Sequence, residues 1–356
     1  MFDEDREDKL PLSTLNGLTE YLESDTTPPE KFTVAQYSAF NRTQRNRYNE
    51  ERFDHLAGNV IILTPQVKEA RDLVADMVTY NRRLPQEKRP GLILSGDGAA
   101  GKTSTMQMTM MKVYKDYAAR FPAMAQHGRH PVVYVEVPFG STGKSLLEAF
   151  ARFFNMTIAT RDTQSTLMTR VCEALRQAKT ELIVVDELQN LSTATRGSGE
   201  SIQALRQLHS QVLGIFVLSG VKLRESPLFT GPTGRQLSSR LAFRDLQSFT
   251  LANKHAASEW RGLIRAFEKE MPLFAHTVGS LAAHSEAIHS HTAGSISTLA
   301  KIFASSANAV IRAGDPSAES ISLELLLAQP RDKSAMEAGE EHLPLKAATA
   351  TKKKAA

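Results

Sequence analysis

The chain is short of several things, and each shortage narrows what it can be. Its 356 residues contain a single cysteine, Cys172, so neither an internal disulfide nor a thiolate metal cluster can form. A reducing compartment is the simplest setting for such a chain. No apolar run approaches the roughly 20 residues that cross a bilayer. The start, Met1-Phe2-Asp3-Glu4-Asp5-Arg6-Glu7-Asp8, is acidic and unlike a secretory leader, so a cytoplasmic protein without a membrane segment is expected. Internal repeats are missing too, which excludes a solenoid. A large excess of one sign of charge is lacking: 43 Lys+Arg stand against 39 Asp+Glu, a formal net charge of +4. That balance permits nucleic-acid binding without requiring it, so the placement of charge matters more than its sum. What remains, 41% hydrophobic and 23% charged residues, is the composition of an ordinary globular protein, and the length predicts about two domains.

Residues 1–30 are polar, close on Thr26-Thr27-Pro28-Pro29, and read as a loosely ordered acidic arm. Residues 31–65 form a basic, aromatic-interleaved extension with Tyr37, Phe40, Arg42, Arg45, Arg47, Tyr48, Arg52 and Phe53. Arginines among aromatics can grip nucleic acid; a solvated helix packing its aromatics on the main domain is the other reading. Beyond Pro65, Val67, Ala70, Leu73, Val74, Met77 and Val78 recur at helical spacing. Helices then alternate with four apolar runs, 91–95, 131–137, 181–186 and 214–219, each dense in Val, Ile and Leu. Such runs are strands buried on both faces of a parallel sheet, and the alternation predicts an α/β domain over 66–250. Helical spacing without strands continues through 253–270, 275–290, 295–313 and 318–328, a small helical lid domain over 251–328. The Ala/Lys/Glu-rich end, 329–356, reads as disordered.

The strongest chemical signal is Gly96-Asp97-Gly98-Ala99-Ala100-Gly101-Lys102-Thr103, a complete G-x-x-x-x-G-K-[ST] between a strand and a helix that continues through Ser104. Glycines let backbone N–H groups converge on phosphates, and the helix N-terminus adds positive potential. Lys102 is expected at the β- and γ-phosphates of ATP and the Thr103 hydroxyl on Mg²⁺. The second signal is Leu182-Ile183-Val184-Val185-Asp186-Glu187, an apolar strand ending in two acids. Asp186 would complete the Mg²⁺ shell and Glu187 would polarise the attacking water, a pairing suited to hydrolysis. Ser219, ending a further strand, is placed to touch the γ-phosphate. Arg240, and after it Arg235, are candidates for a finger reaching a neighbouring subunit's nucleotide. Phe139-Gly140-Ser141-Thr142-Gly143-Lys144-Ser145 imitates a second phosphate loop, but Pro138 stands where its first glycine is required. Ser141, Thr142 and Lys144 are instead candidates for DNA phosphates, or simply cap the next helix. His276, His284, His289 and His291 have no metal-ligand spacing and read as surface helix histidines.

These residues resemble AAA+ ATPases of the TnsC/TniB type, regulators of DNA transposition related to the phage Mu B protein. The resemblance rests on Ile61-Ile62-Leu63-Thr64-Pro65 before a helix, the phosphate loop after Arg89-Pro90-Gly91-Leu92-Ile93-Leu94, and Val135-Glu136-Val137-Pro138. It continues through Asp186-Glu187-Leu188-Gln189-Asn190-Leu191, Arg235-Gln236-Leu237-Ser238-Ser239-Arg240 and Gly294-Ser295-Ile296, and covers residues 45–328. It implies an AAA+ core with a helical lid, Mg²⁺-dependent ATP hydrolysis stimulated by DNA, and a homo-oligomeric ring or filament on double-stranded DNA. It further implies recruitment of a transposase and of a target-selection protein of the TniQ/TnsD type. The sequence departs from many AAA+ proteins in lacking an arginine three residues after Gly294, and in carrying Ser219 where Asn or Thr is usual. A helicase loader or replication-initiator ATPase, and a small-molecule phosphate-loop kinase, are the competing readings.

Overall fold

A computed structural model describes residues 9–25, 27–84, 89–98, 100–191, 198–230 and 232–331. The described residues fall into two compact units, one drawn from Met1–Asp25, Pro65–Asp97 and Gly101–Gln247, the other from Thr26–Thr64, Gly98–Ala100 and Ser248–Ala356.

The first unit is a five-stranded parallel sheet flanked by helices. Its strands are β1 (Gly91–Gly96), β2 (Val132–Glu136), β3 (Leu182–Asp186), β4 (Ile215–Gly220) and β5 (Leu241–Leu246), in the order β2-β3-β4-β1-β5. In β1, β3 and β4 every residue is buried, and in β2 all but Glu136. Runs of Val, Ile and Leu can sit in a sheet only if both faces are covered, and the crossover helices cover them. The helix expected after Pro65 spans Pro65–Asn81 and buries Val67, Ala70, Val74 and Val78. The fifth strand carries no apolar run. Among the described residues it is an edge strand paired to β1 alone, burying Leu241 and Leu246 and exposing Arg244 and Asp245.

The second unit is helical, built from Val34–Ala39, Arg42–Asp54, Lys254–Glu270, Ser285–Thr292, Ile296–Ala313 and Leu323–Leu327. Trp260, Ile264, Phe267, Leu299, Ile302 and Phe303 form its core, joined by Leu56 from the N-terminal segment. The basic, aromatic stretch is thus part of this core. Tyr37 and Tyr48 pack on Phe274, and Arg52 lies fully buried over all three rings. Its guanidinium donates to Glu319 through two bonds, Nη1 to Oε2 at 2.7 Å and Nη2 to Oε1 at 3.1 Å.

Three sequence expectations are corrected. In the polar arm 1–30, Leu15–Glu23 is a helix capped by Thr14, with Leu18 and Leu22 buried and Glu23 accepting from the Tyr114 hydroxyl at 2.5 Å. The helix expected over 275–290 begins only at Ser285. Before it the chain wraps the buried Glu268 carboxylate, which accepts from the N–H of Gly279 at 2.8 Å and of Leu281 at 2.7 Å. The histidines there are not all surface groups, since the His276 side chain is enclosed beside Glu268, at 3.4 Å. Residues 1–8 of the arm and 332–356 of the tail lie outside the described residues. Among the described residues no helix is long and apolar enough to cross a membrane.

Candidate nucleotide site

The site forms at the carboxyl ends of β1, β3 and β4, where a parallel sheet presents its loops. Strand β1 runs out at Gly96, and Gly101 turns the chain into helix Lys102–Arg120 with a left-handed φ of 89°, open to glycine at little cost. Among the described residues no side chain caps that 19-residue helix, so its first-turn N–H groups are available to an anion. Lys102 is 9% exposed and donates from Nζ to the carbonyls of Gly96 and Asp97, both at 2.8 Å. Burial pushes its ammonium below the ordinary lysine range, while Asp186, Glu187 and Asp97 pull the other way. A buried ammonium held, among the described residues, by two neutral carbonyls alone has capacity left for a phosphate oxygen. Asp97 and Gly98 are exposed, Ala100 is buried, Thr103 is exposed and Ser104 half-buried; Ala99 lies outside the described residues.

Asp186 ends β3 almost fully buried. Its Oδ1 accepts from the Glu187 N–H at 2.8 Å, and its Oδ2 from the Tyr134 hydroxyl of neighbouring β2 at 3.0 Å. Burial first, and the Asp186 charge second, drive the Tyr134 phenol well above its usual range. Glu187 takes a left-handed backbone, φ 56°, which costs a non-glycine residue about 1 kcal/mol or more and occurs preferentially at functional sites. The Gln189 amide then bridges strands: Nε2 donates to Glu187, and Oε1 accepts from the Val221 N–H at 3.0 Å. Ser219 of β4 pairs with Leu94 of β1 and is fully buried, its hydroxyl without a hydrogen-bond partner among the described residues. Lys102, Asp186, Glu187 and Ser219 are therefore gathered at adjacent strand ends. The lysine, the exposed Thr103 hydroxyl and the Asp186 carboxylate fit a nucleotide phosphate with Mg²⁺.

The remaining candidates lie elsewhere. Arg235 is exposed in helix Pro232–Ser238, and Arg240 is exposed immediately before β5, at the opposite end of the strands from the phosphate loop. In the loop after β2, the Ser141 hydroxyl is turned inward and donates to the Pro138 carbonyl at 2.6 Å, so it is not offered to a ligand. Thr142 caps helix Gly143–Phe153, accepting from the Ser145 N–H at 3.3 Å. Lys144 is partly exposed, 4.0 Å from Glu148.

A family model described as "Bacterial TniB protein" matches residues 52–251. The chain belongs to the TniB family. No curated protein matches it. Among solved structures, this TniB chain is similar to the Aeropyrum pernix ORC1 protein in complex with DNA, at 16% identity and a TM-score of 0.53, covering 80% of this chain and 67% of that one. It is similar to the ORC2 protein of the same organism, in ADPNP and ADP complexes, at 14% identity and a TM-score of 0.54, covering 82% and 72%. Cdc6p from Pyrobaculum aerophilum matches at 14% identity and a TM-score of 0.53, covering 76% and 68%. At these identities the likeness is one of fold, and the fold is that of AAA+ proteins.

Two site residues of the TniB chain escape sequence reasoning. Tyr134 looks like one more strand aromatic until the register sets Tyr134 beside Val184, two residues before Asp186. Gln189 lies inside a recognised motif, but its bridging role depends on Gly220, where a Cβ would collide with its Oε1. In the same motif Asn190 donates to the Val137 carbonyl at 3.0 Å and ties down the loop after β2. That loop exposes Phe139 almost completely, at 95%. Its apolar ring in water is the cue the sequence carried without a periodicity to flag it.

Proposed function

We propose that this TniB-family chain is an ATP-dependent, DNA-binding regulator of transposition that assembles as a homo-oligomer on double-stranded DNA and recruits a transposase and a target-selection protein of the TniQ/TnsD type. The observation carrying the reading is the convergence of Lys102, Asp186 and Glu187 on one edge of the sheet. Lys102 and the free N–H groups of its helix bind and orient the triphosphate. Thr103 and Asp186 hold Mg²⁺, which when bound neutralises charge developing on the phosphates. Tyr134 and the Glu187 N–H fix the Asp186 carboxylate, and Glu187, steadied by Gln189, orients the attacking water. Arg240, or Arg235, exposed away from its own phosphate loop, acts in trans on the next subunit's nucleotide. Lys144, Thr142 and Phe139 offer a surface for the DNA backbone. The similar ORC1 and ORC2 structures, solved with DNA and with ADPNP and ADP, support nucleotide and DNA as ligands.

The test combines ATPase assays, with and without duplex DNA, and electron microscopy with a non-hydrolysable ATP analogue. Expected are DNA-stimulated hydrolysis and oligomers that need both ligands. Glu187→Gln should keep the oligomers and lower turnover about a hundredfold. Assemblies indifferent to nucleotide, or transfer of phosphate to a small acceptor, would sink the reading.

A further inference from the structure

At the opposite edge of the same sheet lies a second cleft of about 400 Å³, near the lower end for small-ligand sites. It opens where β1, β3 and β4 begin. With strands of five or six residues it is separated from the phosphate loop by roughly 15–20 Å.

Its lining is strongly basic: Arg82, Arg89, Arg120, Arg129, Arg176 and Lys179 surround one carboxylate, Glu181. That carboxylate is already spoken for. Arg82 donates to both its oxygens, at 3.0 and 2.9 Å, and Arg120 adds a bond of 2.8 Å to Oε2. The other four cations have no carboxylate partner among the described residues. Arg89 is the telling one, for it is 4% exposed and its Nε and Nη1 have no hydrogen-bond partner among those residues. A buried guanidinium whose donors lack partners carries a large desolvation cost, which a bound anion removes. Asn81 also lines the cleft; its amide nitrogen is spent on the Leu213 carbonyl at 2.7 Å, and its oxygen, without a donor among the described residues, can meet an N–H of a base but not a phosphate.

The wall beside these cations is aromatic. Phe121 is 40% exposed, with the Arg129 guanidinium 4.9 Å and that of Arg120 5.4 Å from its ring centre. Planar cations framing an exposed ring form a stacking platform for a flat heterocycle. Four unpaired cations match a doubly charged phosphate better than one carboxylate, and Arg grips phosphate through paired N–H groups.

We infer that this cleft is a second anion site that takes a nucleotide unit, its phosphate on Arg89 and Arg129 and its base against Phe121. The inference does not rest on the proposed function, because no residue of the phosphate loop takes part.

Thymidine 3′,5′-bisphosphate is a suitable probe, titrated calorimetrically into protein whose phosphate loop is kept saturated with ADP and Mg²⁺. Arg89→Met and Arg129→Ala should each weaken its binding about tenfold or more, and Lys112→Ala, on an outlying ion pair, should not. Arg89→Met removes an unpaired buried charge, so its melting temperature without probe should equal or exceed that of the wild type, which separates lost binding from lost folding. Tighter binding of 5′-phosphorylated tetrathymidylate than of the bisphosphate would assign the site to single-stranded DNA, and equal binding to a free nucleotide. Failure of the bisphosphate to bind, or binding unchanged in both arginine variants, overturns the inference.

Discussion

The Tyr134 hydroxyl donates to Asp186 Oδ2 across the β2–β3 pairing, at 3.0 Å, while the other carboxylate oxygen is held by the Glu187 N–H. Both oxygens of the metal-binding candidate are thus oriented from within the protein. Such supporting contacts fix ligand geometry as surely as the ligands themselves.

Tyr134→Phe removes one of the two donors and leaves the packing. A buried carboxylate oxygen without a donor costs about 1–3 kcal/mol, so ATP turnover should fall by about tenfold with little change in nucleotide affinity. Steady-state ATPase rates beside ADP titrations check this. Wild-type turnover would reduce Tyr134 to a packing residue.

His209 predicts a pH dependence. Its ring is 3% exposed against Phe216, and burial, then Arg240 and Arg89, lower its pKa from 6.5 to about 4. The unfolded chain therefore takes up a proton that the folded chain refuses. Stability is intact above pH 6.5, declines as pH falls toward 4, and levels off below, a loss of about 3 kcal/mol for this group. His209→Leu should flatten the fall in urea midpoint between pH 6.5 and 4 relative to wild type. An unchanged slope would mean that His209 protonates freely in the fold.

The legible parts of this molecule were those written locally. Four strands show as runs dense in Val, Ile and Leu because both their faces are covered, and the phosphate loop shows because its glycines, lysine and threonine fall in one short stretch, Gly96 to Thr103. β5 was hidden, since an edge strand with Arg244 and Asp245 exposed has no apolar run to display. Glu268 was hidden likewise: its three nearest polar partners lie 11 to 13 residues away, in a loop whose helical spacing was incidental. The roles of Tyr134 and Arg89 come from strand register and from what surrounds the chain just before β1 begins at Gly91. Neither is a property of neighbouring sequence.

The Arg52–Glu319 pair spans 267 positions and was equally unreadable. Its side chains are 0% and 1% exposed, so removing one partner strands a charge in the core. Arg52→Met or Glu319→Leu alone should cost about 3–5 kcal/mol, and the double change Arg52→Met with Glu319→Leu should recover most of that loss. Denaturant unfolding of the four proteins closes the cycle. Additive losses would show that the two residues act independently.

Two glycines of the helical unit should respond to alanine in opposite directions. Gly294 has φ 70°, and a Cβ there would collide with the Phe249 carbonyl oxygen, while its own carbonyl accepts from the Phe249 N–H at 2.9 Å. Alanine in the left-handed region costs about 1–2 kcal/mol by itself. The clash is with backbone, so neither side can yield cheaply, and Gly294→Ala should destabilise by about 2 kcal/mol or more. Gly262, inside helix Lys254–Glu270, has an ordinary helical backbone, and nothing lies within 4 Å of the place a methyl group would take. Gly262→Ala gains helix propensity and should stabilise by up to about 1 kcal/mol. Thermal melts of the two variants decide the matter: opposite shifts support the backbone account of Gly294, and equal shifts would mean that its conformation is not what fixes glycine there.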